Sequence, residues 1–213
     1  MRQVCLLTVC GIMAFVPAAF AQRWEVGGGI GGGFYSARDI SSPGGSASAK
    51  IKSNVSASAW LGNNSHNRLG GEFRYDYQRG DLLLHQGSTE AAFGAETHAV
   101  HYDFHYHFAD SEARVRPFAA AGAGIKIYNG TGTEQVTQPL SKIALLTKAQ
   151  DLTALVSVGA GVKMHLAPHV WLRLEVHDYL TPFPKEVIAP ALGASAGGWL
   201  NDIVPSIGLS FTN

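Results

Sequence analysis

Residues 99–108, Ala-Val-His-Tyr-Asp-Phe-His-Tyr-His-Phe, alternate without a break. Successive side chains of a β-strand leave opposite faces, so Val100, Tyr102, Phe104, Tyr106 and Phe108 share one side and His101, Asp103, His105 and His107 the other. The same period of two recurs along the chain. Leu69, Phe73, Tyr75 and Tyr77 oppose Glu72, Arg74, Asp76 and Gln78. Val170, Leu172, Leu174 and Val176 oppose Trp171, Arg173, Glu175 and His177. Eight strands are predicted, over Trp24–Tyr35, Ala47–Leu61, Arg68–Gln78, Ala92–Phe108, Val115–Tyr128, Leu152–Leu166, Val170–Leu180 and Asn201–Phe211. Each reaches the roughly 9–11 tilted residues that cross a hydrocarbon layer.

Between them, long connections (36–46, 79–91, 129–151 and 181–200) alternate strictly with short ones (62–67, 109–114 and 167–169). That is the pattern of an up-and-down barrel with tight turns at one end and long loops at the other. Within 129–151, the part Ser141–Gln150 reads either as a short helix or as an extension of the sixth strand.

Alternation leaves open which face is inside, because a soluble barrel has the same period with its apolar face inward. Small residues crowd the polar face (Gly122, Gly124, Ser157, Gly159, Gly161), as a narrow packed lumen requires. Charged residues are only 15% of the chain, against about 25% in soluble domains. Trp24, Phe34, Tyr75, Tyr77, Tyr106, Phe108 and Phe211 gather near strand ends, like interfacial girdles. These favour the inside-out version: an all-β, eight-stranded antiparallel transmembrane β-barrel.

Residues 1–21 read as a cleaved signal peptide, with Arg2, the apolar run Val4–Val16, Pro17 and the cleavage site Ala19-Phe20-Ala21; the barrel domain then spans 22–213. A lipoprotein site at Cys10 fits less well, with Val9 before it. Both cysteines, Cys5 and Cys10, fall in that leader, so the mature barrel is expected to hold no disulfide or thiolate metal site. Formal net charge is zero, which gives no footprint for nucleic acid.

Two motifs carry a resemblance. Arg116-Pro117-Phe118-Ala119-Ala120-Ala121-Gly122-Ala123-Gly124 resembles the fifth strand of the small eight-stranded outer-membrane barrels related to the OmpA transmembrane domain, to OmpX and to the opacity-type proteins. Gly208-Leu209-Ser210-Phe211-Thr212-Asn213 resembles their terminal assembly signal, departing from it at Asn213, where an aromatic residue is usual. The resemblance implies a bacterial outer-membrane location. Its implied partners are outer-membrane lipid and lipopolysaccharide, the barrel-assembly machinery during insertion, and an unidentified extracellular partner at loops 129–151 and 181–200.

The lumen is expected to hold a charge cluster of Glu72, Arg74, Asp76, His101, Asp103, Lys126, Arg173 and Glu175, with Glu25 and Lys50 as additions. An eight-stranded barrel is just wide enough to be filled by side chains. Buried charges there must pair. The cluster is therefore read as a salt-bridged plug, or alternatively as a narrow porin-like channel whose pairs exchange. No metal site is expected, since strand rise separates His101 from His105 by about 13 Å and His105 and His107 read as rim residues. No cofactor is expected. An enzyme, such as a lipid A-modifying one built on His177, Asp178 and Ser206, ranks third, because consecutive residues face opposite sides. The Gly27–Gly33 run matches G-x-G-x-x-G without the following helix that a nucleotide loop needs. Asn54-Val-Ser56, Asn63-Asn-Ser65 and Asn129-Gly-Thr131 match the glycosylation pattern by coincidence. The expected role is structural, adhesive or loop-mediated binding.

Overall fold

The computed structural model describes residues 24–64, 67–135 and 137–213; the leader assigned to 1–21 lies outside them. Twelve strands follow in order: β1 (Trp24–Gly32), β2 (Phe34–Tyr35), β3 (Arg38–Ser42), β4 (Gly45–Asn63), β5 (Leu69–Gln86), β6 (Thr89–His107), β7 (Val115–Gly130), β8 (Ala144–Leu146), β9 (Gln150–Ala167), β10 (Val170–Pro182), β11 (Ile188–Pro190) and β12 (Trp199–Thr212). Eight of them close an antiparallel ring, β1-β12-β10-β9-β7-β6-β5-β4, with β1 pairing back to β4. Both described chain ends lie at the short-turn end, where Trp24 N donates to the Asn213 side chain at 2.9 Å.

The strands outrun the membrane. β4 and β6 have 19 residues each, about 60 Å of extended chain, whereas the apolar band of such barrels is about 25 Å tall. Along the lower part, at the short-turn end, the outer surface is apolar; Phe104 is 69% and Ile30 63% exposed. Water would not tolerate so continuous a band, and acyl chains do. Above it the polarity turns over. On β5 the inward column runs Glu72, Arg74, Asp76, Gln78, Gly80, Leu82, Leu84, and the outward one Phe73, Tyr75, Tyr77, Arg79, Asp81. On β6 the inward column passes from His107, His105, Asp103 and His101 to Ala95, Phe93 and Ala91. Beyond the lipid the strands meet water outside and shed it inside, as in a soluble protein.

β4 reaches the same end differently. From Ala47 to Leu61 its odd positions are apolar except Ser53: Ala47, Ala49, Ile51, Val55, Ala57, Ala59 and Leu61. Its register against β5 slips between Ser53 and Ser56, which face Gly80 and Gln78, so one extra residue is accommodated there. That bulge turns the strand over. Ala47, Ala49 and Ile51 face inward above it, while Ser56 and Trp60 face inward and Val55 and Leu61 outward below it. In β5 the sequence pattern inverts on a regular backbone; in β4 the backbone inverts under a constant pattern.

Two of the four expected long loops are therefore mostly strand. Segment 79–91 continues β5 and β6 to a two-residue turn at Gly87-Ser88, where Gly87 adopts φ +59°. Segment 36–46 contains β3, paired with β4 around Pro43-Gly44. The alternation persists there with its sign reversed, and a reversed sign reads as a break. The other two loops fold over the barrel mouth, where β8 pairs with β11. The Ser141–Gln150 stretch is thus neither helix nor a plain extension of the sixth strand, since β8 sits within it and β9 begins at Gln150. Ile143, Ala144, Leu146, Phe183, Val187 and Ile188 pack onto Ile40, Ile51, Leu82, Leu84 and Phe93 as one buried apolar cluster. The upper barrel is corked by its own loops.

Candidate functional site

In the lower barrel, two guanidiniums hold the lumen together. Arg74, on β5, places Nη1 2.6 Å from Glu175 and Nε 3.2 Å from Asp76. Arg173, on β10, places Nη1 2.6 Å from Glu72 and Nη2 2.7 Å from Glu175. Its Nη1 also lies 3.3 Å from Glu25, which receives the Lys163 ammonium at 2.6 Å. Both guanidiniums stack on the Trp60 indole, Arg173 at 4.3 Å and Arg74 at 5.1 Å from the ring centre. Trp60 fits because Gly27 and Gly208 stand beside it; a Cβ on Gly27 would lie 2.6 Å from the indole carbons. Gly122 clears space in the same way for the Asp103 side chain.

A second layer lies above. His101 lies between two carboxylates, Nδ1 3.0 Å from Asp103 and Nε2 3.1 Å from Asp76, and Tyr179 donates to Asp76 at 3.0 Å. Lys126 then meets Asp202 at 2.5 Å, which also accepts from Gln78 at 2.7 Å. With His101 carrying both ring protons, the buried carboxylates Glu25, Glu72, Asp76, Asp103, Glu175 and Asp202 face six positive groups: Arg74, Arg116, Lys126, Lys163, Arg173 and His101. Charge balance of this kind is what a dry lumen demands, since an uncompensated ion there costs several kcal/mol. Tyr128 and Thr181, hydrogen bonded at 2.7 Å, mark the passage to the apolar tier.

All eight residues of the expected cluster, Glu72, Arg74, Asp76, His101, Asp103, Lys126, Arg173 and Glu175, are buried in this lumen, and the structure brings them into one network. Glu25 joins it. Lys50 does not: it lies above the β4 bulge and points to solvent. An unbroken alternation would have placed it inside with Trp60. Lys163, Asp202, Tyr179 and Trp60 complete the network; the inward parity of their strands was the signal for them.

His105 and His107 are not rim residues. Both are buried, and the His105 ring stacks on Phe118 at 4.9 Å between centres. Among the described residues no group of three or more His, Cys, Asp or Glu side chains is arranged to hold a metal. His177 faces inward while Asp178 accepts from Asn201 at 2.8 Å, and Ser206 donates to Glu175 at 3.3 Å, so those three never meet as an active site. Ser157 does approach His177 Nδ1 at 3.3 Å, with His177 Nε2 3.8 Å from Glu175. All three are buried, and the Ser157 hydroxyl donates its hydrogen bond to Asp103 at 3.2 Å, which leaves it no proton to offer the imidazole.

At the short-turn end, an open vestibule of about 330 Å³ is lined by Asn64, Arg116, His165, Trp171 and Asn213 and floored by Glu25 and Lys163. Above that floor Arg173, Asp103, Lys126 and Tyr179 have no exposed surface. A water-sized path beside them would expose them; none does.

Three solved structures share this architecture. The outer membrane protein OprG from Pseudomonas aeruginosa superposes with a TM-score of 0.58 at 12% identity, over 90% of this chain and 95% of that one. AlkL, determined in lipid bilayers, gives 0.53 at 14% identity over 93% and 95%. Neisserial surface protein A gives 0.52 at 12% identity over 90% and 97%. Such identities show a shared fold. No curated protein matches the sequence. The family model for the outer membrane protein beta-barrel domain matches residues 4–187. The chain belongs to that family of small outer-membrane β-barrels, and its place is the bacterial outer membrane.

Proposed function

We propose that this barrel is a non-conducting, non-enzymatic scaffold whose work is binding at the cell surface, through the part that stands above the lipid. The observation carrying this reading is the double closure of the lumen. Arg74 and Arg173 tie four carboxylates, Glu25, Glu72, Asp76 and Glu175, across the lower barrel, and an apolar cork of Ile143, Leu146, Val187 and Ile188 fills the mouth above. A solute would have to break several buried ion pairs and then cross a greasy layer. What remains free to act is the upper surface, and loops on a rigid scaffold are where binding resides. Outer-membrane lipid and lipopolysaccharide surround the apolar band in this reading, and the Gly208–Phe211 stretch serves as the signal for the assembly machinery.

The test is single-channel recording in planar bilayers with the refolded protein. Silence at applied potentials that open narrow porins is expected. Stable, repeated openings overturn the scaffold and favour a salt-bridge-gated channel for small solutes.

A further inference from the structure

The part of the sheet that protrudes above the lipid has two edges, and they are treated differently. At the β3 edge, Ser41 exchanges backbone hydrogen bonds with Ser195 at 3.0 and 2.7 Å, Ser36 donates to Asn201, and the Arg38 guanidinium donates to the Trp199 carbonyl. That edge is covered. At the β6 edge, pairing with β7 stops at Ala95–Gly130, while β6 continues to Thr89. The Gly94 carbonyl accepts from the amides of Thr131 and Gly132 at 2.8 and 3.0 Å. Even-numbered β6 residues therefore turn their backbone groups away from β5. Beyond Gly94, the N–H and C=O of Ala92 and Glu90 face outward along the same edge, with no partner among the described residues. Beside them lies a crevice of about 180 Å³ lined by Glu90, Phe93, Thr133, Gln135, Gln138 and Leu146.

We infer that the Thr89–Phe93 edge of β6 is a strand-addition site for an extended peptide of alternating apolar and basic residues. The donors and acceptors at Glu90 and Ala92, without partners among the described residues, specify an extended backbone. The crevice, bounded by Ala92, Phe93 and Pro139 as well as by Thr133 and two glutamines, takes a short apolar side chain such as that of valine. The Glu90 carboxylate, exposed and 4.0 Å from His85, favours a basic residue beside it. Unprotected edges of this kind are templates that proteins otherwise cover, as this one covers β3. The site rests on the surface-binding reading above and names the partner's chemistry.

The probe is the heptapeptide Lys-Val-Lys-Val-Lys-Val-Lys, added to the refolded barrel in micelles while amide hydrogen exchange is followed. Exchange at Glu90 and Ala92 is expected to slow at least tenfold. A peptide N-methylated at every internal residue keeps its side chains, loses its donors and is expected to give no protection. Ala92→Pro removes the outward donor without touching the β5 rungs and is expected to abolish the effect while the gel-shifted folded band persists. Equal protection by the methylated peptide, protection at Ser41 instead, or none at all overturns the site. Should the proline variant fail to fold, the two peptides decide the matter on the unaltered chain. A barrel silent in bilayers that also ignores the peptide loses this site and keeps the scaffold reading.

Discussion

The lower and upper lumen are built on the same strands and held by opposite means. Below, Arg173 sits in a ring of carboxylates with its guanidinium over Trp60 and Phe118. Above, Leu82 and Leu84 pack among Ile40, Ile51, Ile143 and Val187, in an apolar cluster that meets the buried Lys126 only through Tyr35 and Tyr128 among the described residues. The difference follows from the solvent outside. Where acyl chains cover the wall, apolar residues belong on the exterior and the polar remainder turns inward, to be satisfied there. Where water covers the wall, burial of apolar area stabilises the interior directly, at about 25 cal/mol per Å². The lower tier is thus specified by pairing and the upper by packing.

That contrast breaks in stated ways. Arg173→Ala leaves Glu72, Glu175 and Glu25 short of a partner and is expected to cost about 3–5 kcal/mol. The readout is a lower temperature for the shift between folded and unfolded gel bands, with the surface loops still resistant to protease. Leu82→Ala opens a cavity beneath the cork and costs about 2–5 kcal/mol. Here the loops around β8 and β11 should be clipped faster while the gel-shift temperature holds. If Leu82→Ala lowers that temperature as far as Arg173→Ala does, the tiers are one cooperative unit and the contrast fails. The smallest effect belongs to His169→Gly. His169 follows Pro168 in the β9–β10 turn with φ +68°, a left-handed conformation that glycine adopts without strain, and the exchange should add about 0.5 kcal/mol. A loss there would place an unrecognised contact on the imidazole.

Much of this was legible in the residues themselves. Strand number, antiparallel order and the inward set on β5, β6 and β10 follow from a period of two, which any strand between two solvents must show. Lys163 and Asp202 obeyed the same parity and were recoverable from it. The cork was not. Leu82, Leu83 and Leu84 run consecutively, and the alternation around them changes sign at Gln78–Gly80, so the stretch resembles the end of a strand instead of its continuation. Lys50 was misplaced for a different reason: a bulge is a property of register against the neighbouring strand, invisible in one strand's own pattern. The pairing of β8 with β11 joins segments more than forty residues apart and has no local signature.

The slip between Ser53 and Ser56 carries a consequence for how this hairpin tolerates heritable length change. Above it, Gly45–Ile51 can gain or lose residues only two at a time, because an odd step swaps Ala47, Ala49 and Ile51 for Ser48, Lys50 and Lys52 beneath the sheet. Deleting one residue at the slip itself would instead remove the bulge, leaving Ile51 opposite Leu82 and both halves facing as they do now. Insertions among natural variants of this chain should therefore come in even numbers along that arm, and odd ones should fall at the bend.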